Sequence, residues 1–321
     1  MLSVLAVEPP IDPSLPCSQQ SLAIGEPIAG SATPDISAWL VLEHPQRWGR
    51  DALTDSGFSD GLQSHLGELV RKLRMRFLLI RRFGSEDREG GTRRAYLVQP
   101  KTQGRAKPKI WQFELDEPDD LLELDVESML LAGMPGGERT PPEHLYLVCA
   151  HGKRDRCCAL RGVALAKTMS EVEELDGEIW QCSHLGGHRF AATMVYLPHG
   201  VHYGRLQPDD VPDLVAAHRR GDIYDLRNYR GQTRFPAAVQ AAEAWLREQE
   251  SDMSLDGPEL LEHSLRGQRW SARFRSHDGK LHKVVVEPRM GNLPRLKSCD
   301  AEAPEPAQWF YAVRHEAHSV V

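Results

Sequence analysis

Four of the six cysteines and three of the fourteen histidines of this chain fall between Leu147 and His188. The segment opens as Leu147-Val-Cys-Ala-His-Gly-Lys-Arg-Asp-Arg-Cys-Cys158 and closes as His184-Leu-Gly-Gly-His188. Each piece follows an apolar run that reads as a strand, so each is a loop mounted on a sheet, where binding and redox sites are commonly built. Two thiolates and two imidazoles from separate loops form a ligand set for zinc or for an iron–sulfur cluster. Between Cys149 and Cys157 the loop is polar and basic, and a helix begins near Cys157. Positive charge and a helix N-terminus both favour thiolate, the form that binds metal. Backbone amides around Gly152 are placed to donate to sulfur.

Other chemistries fit less well. A phosphatase loop needs Cys, five residues, then Arg, and Asp155 occupies the Arg position. A zinc-protease helix needs a Glu beside its first His, whereas Leu-Gly-Gly separates His184 from His188 and is poor helix sequence. No Cys-x-x-Cys is present, and adjacent Cys157 and Cys158 would form a strained disulfide. Thiol catalysis by Cys149 remains an alternative. Each residue taken singly is unremarkable, since a cysteine ending an apolar strand is commonly a packed thiol. His144, His151, His199, His202 and Cys182 read as supporting or inert neighbours. Cys17 and Cys299 stand alone in loops and read as inert.

The elements that must hold these loops follow from periodicity. Residues 1–34, rich in Pro, Ser and Gly, read as an irregular arm. Residues 35–132 read as an N-terminal α/β domain of order β-α-β-β-β-α, with strands at Trp39–Glu43, Arg76–Ile80, Arg94–Val98 and Lys109–Leu115 and helices at Gly61–Met75 and Asp119–Leu131. A Gly/Pro linker follows. Residues 143–235 restart as β-α-β-α-β-β-α, the order of a thioredoxin-like sandwich. Its helices are at Cys157–Ser170, near Phe190 and at Asp210–Arg220. Residues 236–321 read as a helix and a small antiparallel sheet, with a hairpin around His277-Asp-Gly-Lys280 and a strand at Gln308–Val313; the tail reads as packing rather than chemistry. The fold class is therefore α/β (α+β).

At 321 residues, 40% hydrophobic and 26% charged, the composition is that of an ordinary globular protein. No run of eighteen apolar residues is present, so no membrane span is expected. The net charge of −7 argues against nucleic acid as a partner. Arg71 to Lys109 carries thirteen basic residues against three acids, and Glu114 to Glu127 carries eight acids and no base. Two mutually compensating solvated faces explain this pattern. Clustered cysteines without a disulfide-scaffold density point to a reducing cytoplasmic setting, and the short apolar start Met1-Leu-Ser-Val-Leu-Ala-Val7, which lacks a basic n-region and runs into Glu8-Pro-Pro, does not read as a signal peptide.

Cys149-Ala-His-Gly-Lys-Arg-Asp-Arg-Cys-Cys158, Ser183-His-Leu-Gly-Gly-His-Arg-Phe-Ala-Ala192 and Tyr203-Gly-Arg205 resemble the sucrase/ferredoxin-like family, as do Gly25-Glu-Pro-Ile-Ala-Gly30 and Trp48-Gly-Arg-Asp-Ala52. The resemblance runs to about residue 235. It implies a thioredoxin-like ferredoxin domain with a [2Fe–2S] cluster held by Cys149, Cys158, His184 and His188. Cys157 stays open as an alternate ligand, and Cys182, His151, Gly152 and Arg189 as alternates or neighbours. The implied function is one-electron transfer rather than stand-alone catalysis; glycoside hydrolysis finds no carboxylate pair to support it. Two imidazoles in place of thiolates raise a cluster's potential, and imidazole N–H groups open to solvent would make that potential pH-dependent. Lys153, Arg154, Arg156 and Arg161 would then face an acidic protein redox partner. The same Cys2His2 set holding zinc as a binding or structural module is the alternative.

Overall fold

The structure, a computed structural model, describes residue 12 and residues 14–85, 91–100, 108–132 and 141–318. The linker expected after Ala132 lies largely outside the described residues. A short helix, α1 (Cys17–Ala23), interrupts the arm that reads as irregular. The first half follows as β1 (Trp39–Glu43), α2 (Asp60–Lys72), β2 (Arg76–Arg81), β3 (Arg93–Gln99), β4 (Lys109–Leu115) and α3 (Val126–Ala132). The second is β5 (Leu145–Cys149), α4 (Val163–Ser170), β6 (Ile179–Cys182), β7 (Met194–Leu197), β8 (Val201–Tyr203), α5 (Val211–Arg219) and β9 (Tyr229–Gln232). The tail holds α6 (Ala237–Glu250), β10 (Glu259–Arg266), β11 (Arg269–Arg275), β12 (Leu281–Arg295) and β13 (Glu305–His318).

Nine strands form one sheet in the order β4-β3-β1-β2-β6-β5-β7-β8-β9. Each half contributes the same connectivity. A parallel pair bridged by a helix (β1 with β2, β5 with β6) is flanked on one side by two antiparallel strands. In the second half β9 adds a third antiparallel strand beyond β8. The halves join edge to edge through antiparallel β2 and β6, where Ile80 faces Cys182.

Alternation along the strands separates two kinds of core. Leu40 and Leu42 point to α2 and α3, whereas Tyr146 and Val148 point to α4 and α5. Trp39, Val41, Leu145, Leu147 and Cys149 point to the opposite face and pack together there. Trp39 on β1 lies 5.8 Å from His202 on β8 although four strands separate them in the sheet, so the sheet curls around this shared core. Because both faces are covered, the inner strands are apolar throughout rather than alternating, as in other doubly covered sheets.

Local chemistry explains where elements depart from periodicity. Ser59 caps α2 by accepting from the Leu62 N–H at 3.1 Å, and Leu62, Leu66 and Leu69 turn inward. The helix expected over Asp119–Leu131 is broken into a 3-10 turn, Pro118–Glu123, and α3. Asp120 accepts from the Asp116 and Glu117 amides, and Asp125 from Ser128, so these acids cap two short helices instead of continuing one. The expected helix from Cys157 opens with a wide π-turn, Cys158–Gly162. A Cβ at Gly162 would collide with the Cys149 carbonyl oxygen, so glycine lets this turn press on the end of β5. The turn near Phe190 is a 3-10 turn, His188–Phe190.

The tail sheet has four strands, one more than periodicity indicates, and packs Phe274, Val284 and Val286 on Val239, Ala242 and Leu246 of α6. Its hairpin β12–β13 runs well past the expected strand ends. The connection between those strands, residues 296–304, reaches back to the loops that follow β5 and β6.

Candidate metal centre

Cys149 ends β5, Cys158 opens the π-turn, and His184 follows β6, so all three sit at the C-terminal ends of a parallel pair. That position in an open α/β sheet is where ligands characteristically bind. His184 Nδ1 lies 3.9 Å from Cys149 Sγ and 3.8 Å from Cys158 Sγ. These three donor atoms lie within 4.8 Å of one another, a group able to hold a metal. The fourth expected ligand, His188, lies beside them, its ring 5.1 Å from that of His184 and stacked on it. His188 Nε2 is committed to the Lys297 carbonyl at 2.8 Å, so that nitrogen carries the proton. Nδ1 is then a bare acceptor, and it is buried without a hydrogen-bond partner. His188 is not among the three donors that lie within 4.8 Å of one another, but a buried, orphaned lone pair on a ring stacked on that of His184 suits a metal ligand.

The histidine loop is fixed by side chains from across the molecule. Arg76 Nη2 donates to the His184 carbonyl at 2.8 Å, Thr33 to that of Leu185 at 2.9 Å, and Arg230 Nη1 to that of Gly186 at 3.1 Å. Three successive carbonyls are thereby held. Gly186 and Gly187 adopt φ of 86° and 72°, and at Gly187 a Cβ would strike the Arg230 guanidinium. His151 Nε2 donates to the Gly49 carbonyl at 2.7 Å, leaving Nδ1 to accept the His184 amide at 3.2 Å. Arg189 reaches Glu26 at 2.8 Å, and Arg295 binds the same carboxylate at 3.0 Å.

Cys157, an alternate ligand by sequence, turns the other way. Its sulfur lies 3.5 Å from Cys17 and 3.3 Å from Cys299, and Cys299 lies 3.6 Å from Cys17. Cys17 and Cys299 therefore do not stand alone: α1 and the β12–β13 connection bring them to Cys157. Asp155 joins them, its carboxylate oxygens 4.0 Å from Cys17 Sγ, and accepts the Cys157 and Cys299 amides at 2.8 and 2.9 Å. These four form a second group able to hold a metal. Sequence reasoning missed it because its members lie on three segments that are 138 or more residues apart. The one local signal was the pair Cys157-Cys158, whose adjacent side chains cannot point to the same place.

The electrostatics separate the thiols. The hydrogen bond from Cys158 holds Cys149 well below the usual thiol range against the cost of burial, and His184 adds to the effect. Cys158, as donor to Cys149, is pushed up correspondingly. Cys157 is lowered to about 6, first by the Cys17 thiol and then by Ser18. For Cys182, burial dominates and raises the thiol; it pairs with Cys149 across β5 and β6 but donates to no centre. Burial lowers His188 and His151. Asp155 stays low although burial opposes it, because the Cys299 and Cys157 amides favour the carboxylate.

The other sequence-singled residues divide. The Gly152 amide donates to the Ala150 carbonyl at 3.0 Å, and the amide that reaches Cys149 is that of Leu185. Lys153, Arg154 and Arg156 are exposed, Arg161 is half-buried, and Leu160 between them is exposed. The basic run from Arg71 is not one solvated stripe, since Arg76 and Arg82 turn inward onto backbone carbonyls. His144 and His199 stack with each other and with Tyr196, away from either centre.

Residues 28–231 match the sucrase/ferredoxin-like family, and the chain belongs to that family. Among curated proteins it is similar to Altered inheritance of mitochondria protein 32 of Meyerozyma guilliermondii, 32% identical over 102 residues, covering 29% of this chain and 36% of that protein. The same-named protein of Clavispora lusitaniae is 34% identical over 95 residues, 28% and 35% of the two chains, and that of Debaryomyces hansenii 30% over 96 residues, 27% and 35%. The matches thus span about a third of those relatives' length. No solved structure matches. Among the described residues, no helix is long and apolar enough to cross a membrane.

Proposed function

We propose that this chain is a one-electron carrier whose Cys149, Cys158, His184 and His188 hold a [2Fe–2S] cluster. The observation that carries the reading is the buried, partnerless Nδ1 of His188, on a ring stacked on His184, which itself converges with Cys149 and Cys158. Such a cluster supplies one-electron redox chemistry, at a higher potential with imidazole than with all-thiolate ligation. The protein's own contribution is to fix the ligands: Arg76, Thr33, Arg230 and His151 hold the histidine loop before any group binds. Lys153, Arg154 and Arg156, around exposed Leu160, offer a basic surface to an acidic protein partner, with an association rate that falls as salt rises. All six cysteines are free, which suits a reducing compartment such as the cytoplasm.

Anaerobically purified protein should be red-brown, with iron and sulfide in equal amounts and an EPR signal on reduction. His184→Ala and His188→Ala should each bleach or shift the spectrum. Unchanged spectra in both variants would overturn the ligand assignment. One observation favours a second reading: the Cys149, Cys158 and His184 donors lie within 4.8 Å, close enough for a single zinc ion. Colourless protein whose zinc is lost on Cys149→Ser would select it. Thiol catalysis by Cys149 is disfavoured, because that residue is 1% exposed and offers a substrate no approach.

A further inference from the structure

We propose that Cys17, Cys157, Cys299 and Asp155 form a second metal site, for one zinc-class divalent cation, whose role is to fasten the N-terminal helix and the β12–β13 connection to the loop that carries the first centre. The geometry is that of a single ion's coordination sphere. The three sulfurs are 3.3, 3.5 and 3.6 Å apart. Thiolates sharing a tetrahedral zinc at about 2.3 Å stand about 3.8 Å from one another, so a small outward relaxation admits the ion. A disulfide does not account for the group: bonded sulfurs are about 2.05 Å apart, and a third thiol would have no mate.

The fourth donor completes a closed structural site rather than a catalytic one, which would keep a position open. Asp155 is 2% exposed, and its two oxygens accept the amides of Cys157 and Cys299. Two of the sulfur ligands thus orient the carboxylate through their own backbones, as outer-sphere hydrogen bonds orient metal ligands elsewhere, and each oxygen keeps a lone pair for the ion. Ala191 and Leu296 cover the group and Cys17 and Cys157 are buried, so a bound ion would be shielded from solvent. Without an ion, a buried carboxylate would lie against three desolvated thiols with no positive charge among the four.

The site also bears on its neighbour. Lys297, two residues from Cys299, supplies the carbonyl that holds His188 Nε2, and Asp155 Oδ2 lies 3.8 Å from the same nitrogen. Fastening Cys299 therefore fixes the partner that presents His188 Nδ1.

Metal analysis of the full-length protein tests the proposal. Wild-type protein should carry about one zinc ion per chain in addition to whatever occupies the first centre. Cys17→Ser and Cys299→Ser should each lose that zinc, and Cys17→Ser, on a segment remote from Lys297, should keep iron and sulfide at the wild-type level. If those variants do not fold, cobalt substitution of wild-type protein decides. Tetrahedral thiolate–cobalt charge-transfer bands whose cobalt content matches the zinc displaced support the site. Wild-type protein with no zinc and no such bands overturns it, and so does zinc retained by Cys299→Ser. Iron and sulfide report on the first centre alone, so failure of the electron-carrier reading and failure of this one are distinguishable.

Discussion

Two groups of metal-type donors meet at one peptide bond, Cys157–Cys158, and they are built in opposite ways. The Cys149–Cys158–His184–His188 group is local: its ligands lie within forty residues, on the ends of β5 and β6 and on a loop whose carbonyls are gripped by three side chains. The Cys17–Cys157–Cys299–Asp155 group is remote, and two of its four residues come from α1 and from the β12–β13 connection, far from β5 in the chain. The first is held in place by the sheet and its neighbours. The second is a set of segments that a cofactor would tie together. A ligand set can thus be positioned by the fold or can itself position the fold, and one protein contains both.

The sharpest way to break the comparison is to exchange the neighbours. Cys158→Ser should abolish visible absorbance and leave zinc at the wild-type level, whereas Cys157→Ser should do the reverse; if the two variants lose the same metals, the groups are not separate. Gly162→Ala should come next. Its Cβ would meet the Cys149 backbone, an overpacking that costs about 1–3 kcal/mol. Chemical denaturation should show that loss, and the absorbance of the first centre should weaken while zinc is retained. Equal loss of both metals would mean that the π-turn serves the whole region.

The smallest effect concerns Glu26, which anchors Arg189 beside the histidine loop and Arg295 before the Cys299 connection. Burial raises its carboxyl, but Arg295 and Arg189 outweigh that and hold it below the usual range. Its stabilisation is therefore complete above the unfolded value of about 4.3 and is lost as the pH falls through the lower folded value. Urea midpoints of wild type and Glu26→Gln should differ at neutral pH and draw together in acid. A gap that is constant with pH would show that the carboxylate charge contributes nothing.

Much of this arrangement was legible before the structure. Hydrophobic runs at Trp39–Glu43 and Arg76–Ile80 marked strands, and the apolar run before Cys149 marked a strand with a loop mounted on its end. The convergence of Cys149, Cys158 and His184 followed from strand ends, because one sheet registers one loop against the next. What was not legible depended on distant chain. β9 and β10 lack a strong alternation and are ordered by pairing with β8 and β11. Helix α1 is seven residues long, too short to announce itself by period. Cys17 and Cys299 read as inert because nothing local links positions 282 residues apart. Asp155 was noticed only for the phosphatase chemistry it forbids, and its burial against three thiols is a tertiary fact.

The reach of the β12–β13 connection fixes an order of events during synthesis. The residues of the first centre have all left the ribosome while the tail is still being made, and β5 and β6 can pair as soon as both are free. Cys17 and Cys299 lie 282 residues apart, so the sulfur of the first must wait for the tail sheet to be made. A product truncated before the tail sheet would lack Cys299 and leave Cys17 and Cys157 without their third sulfur.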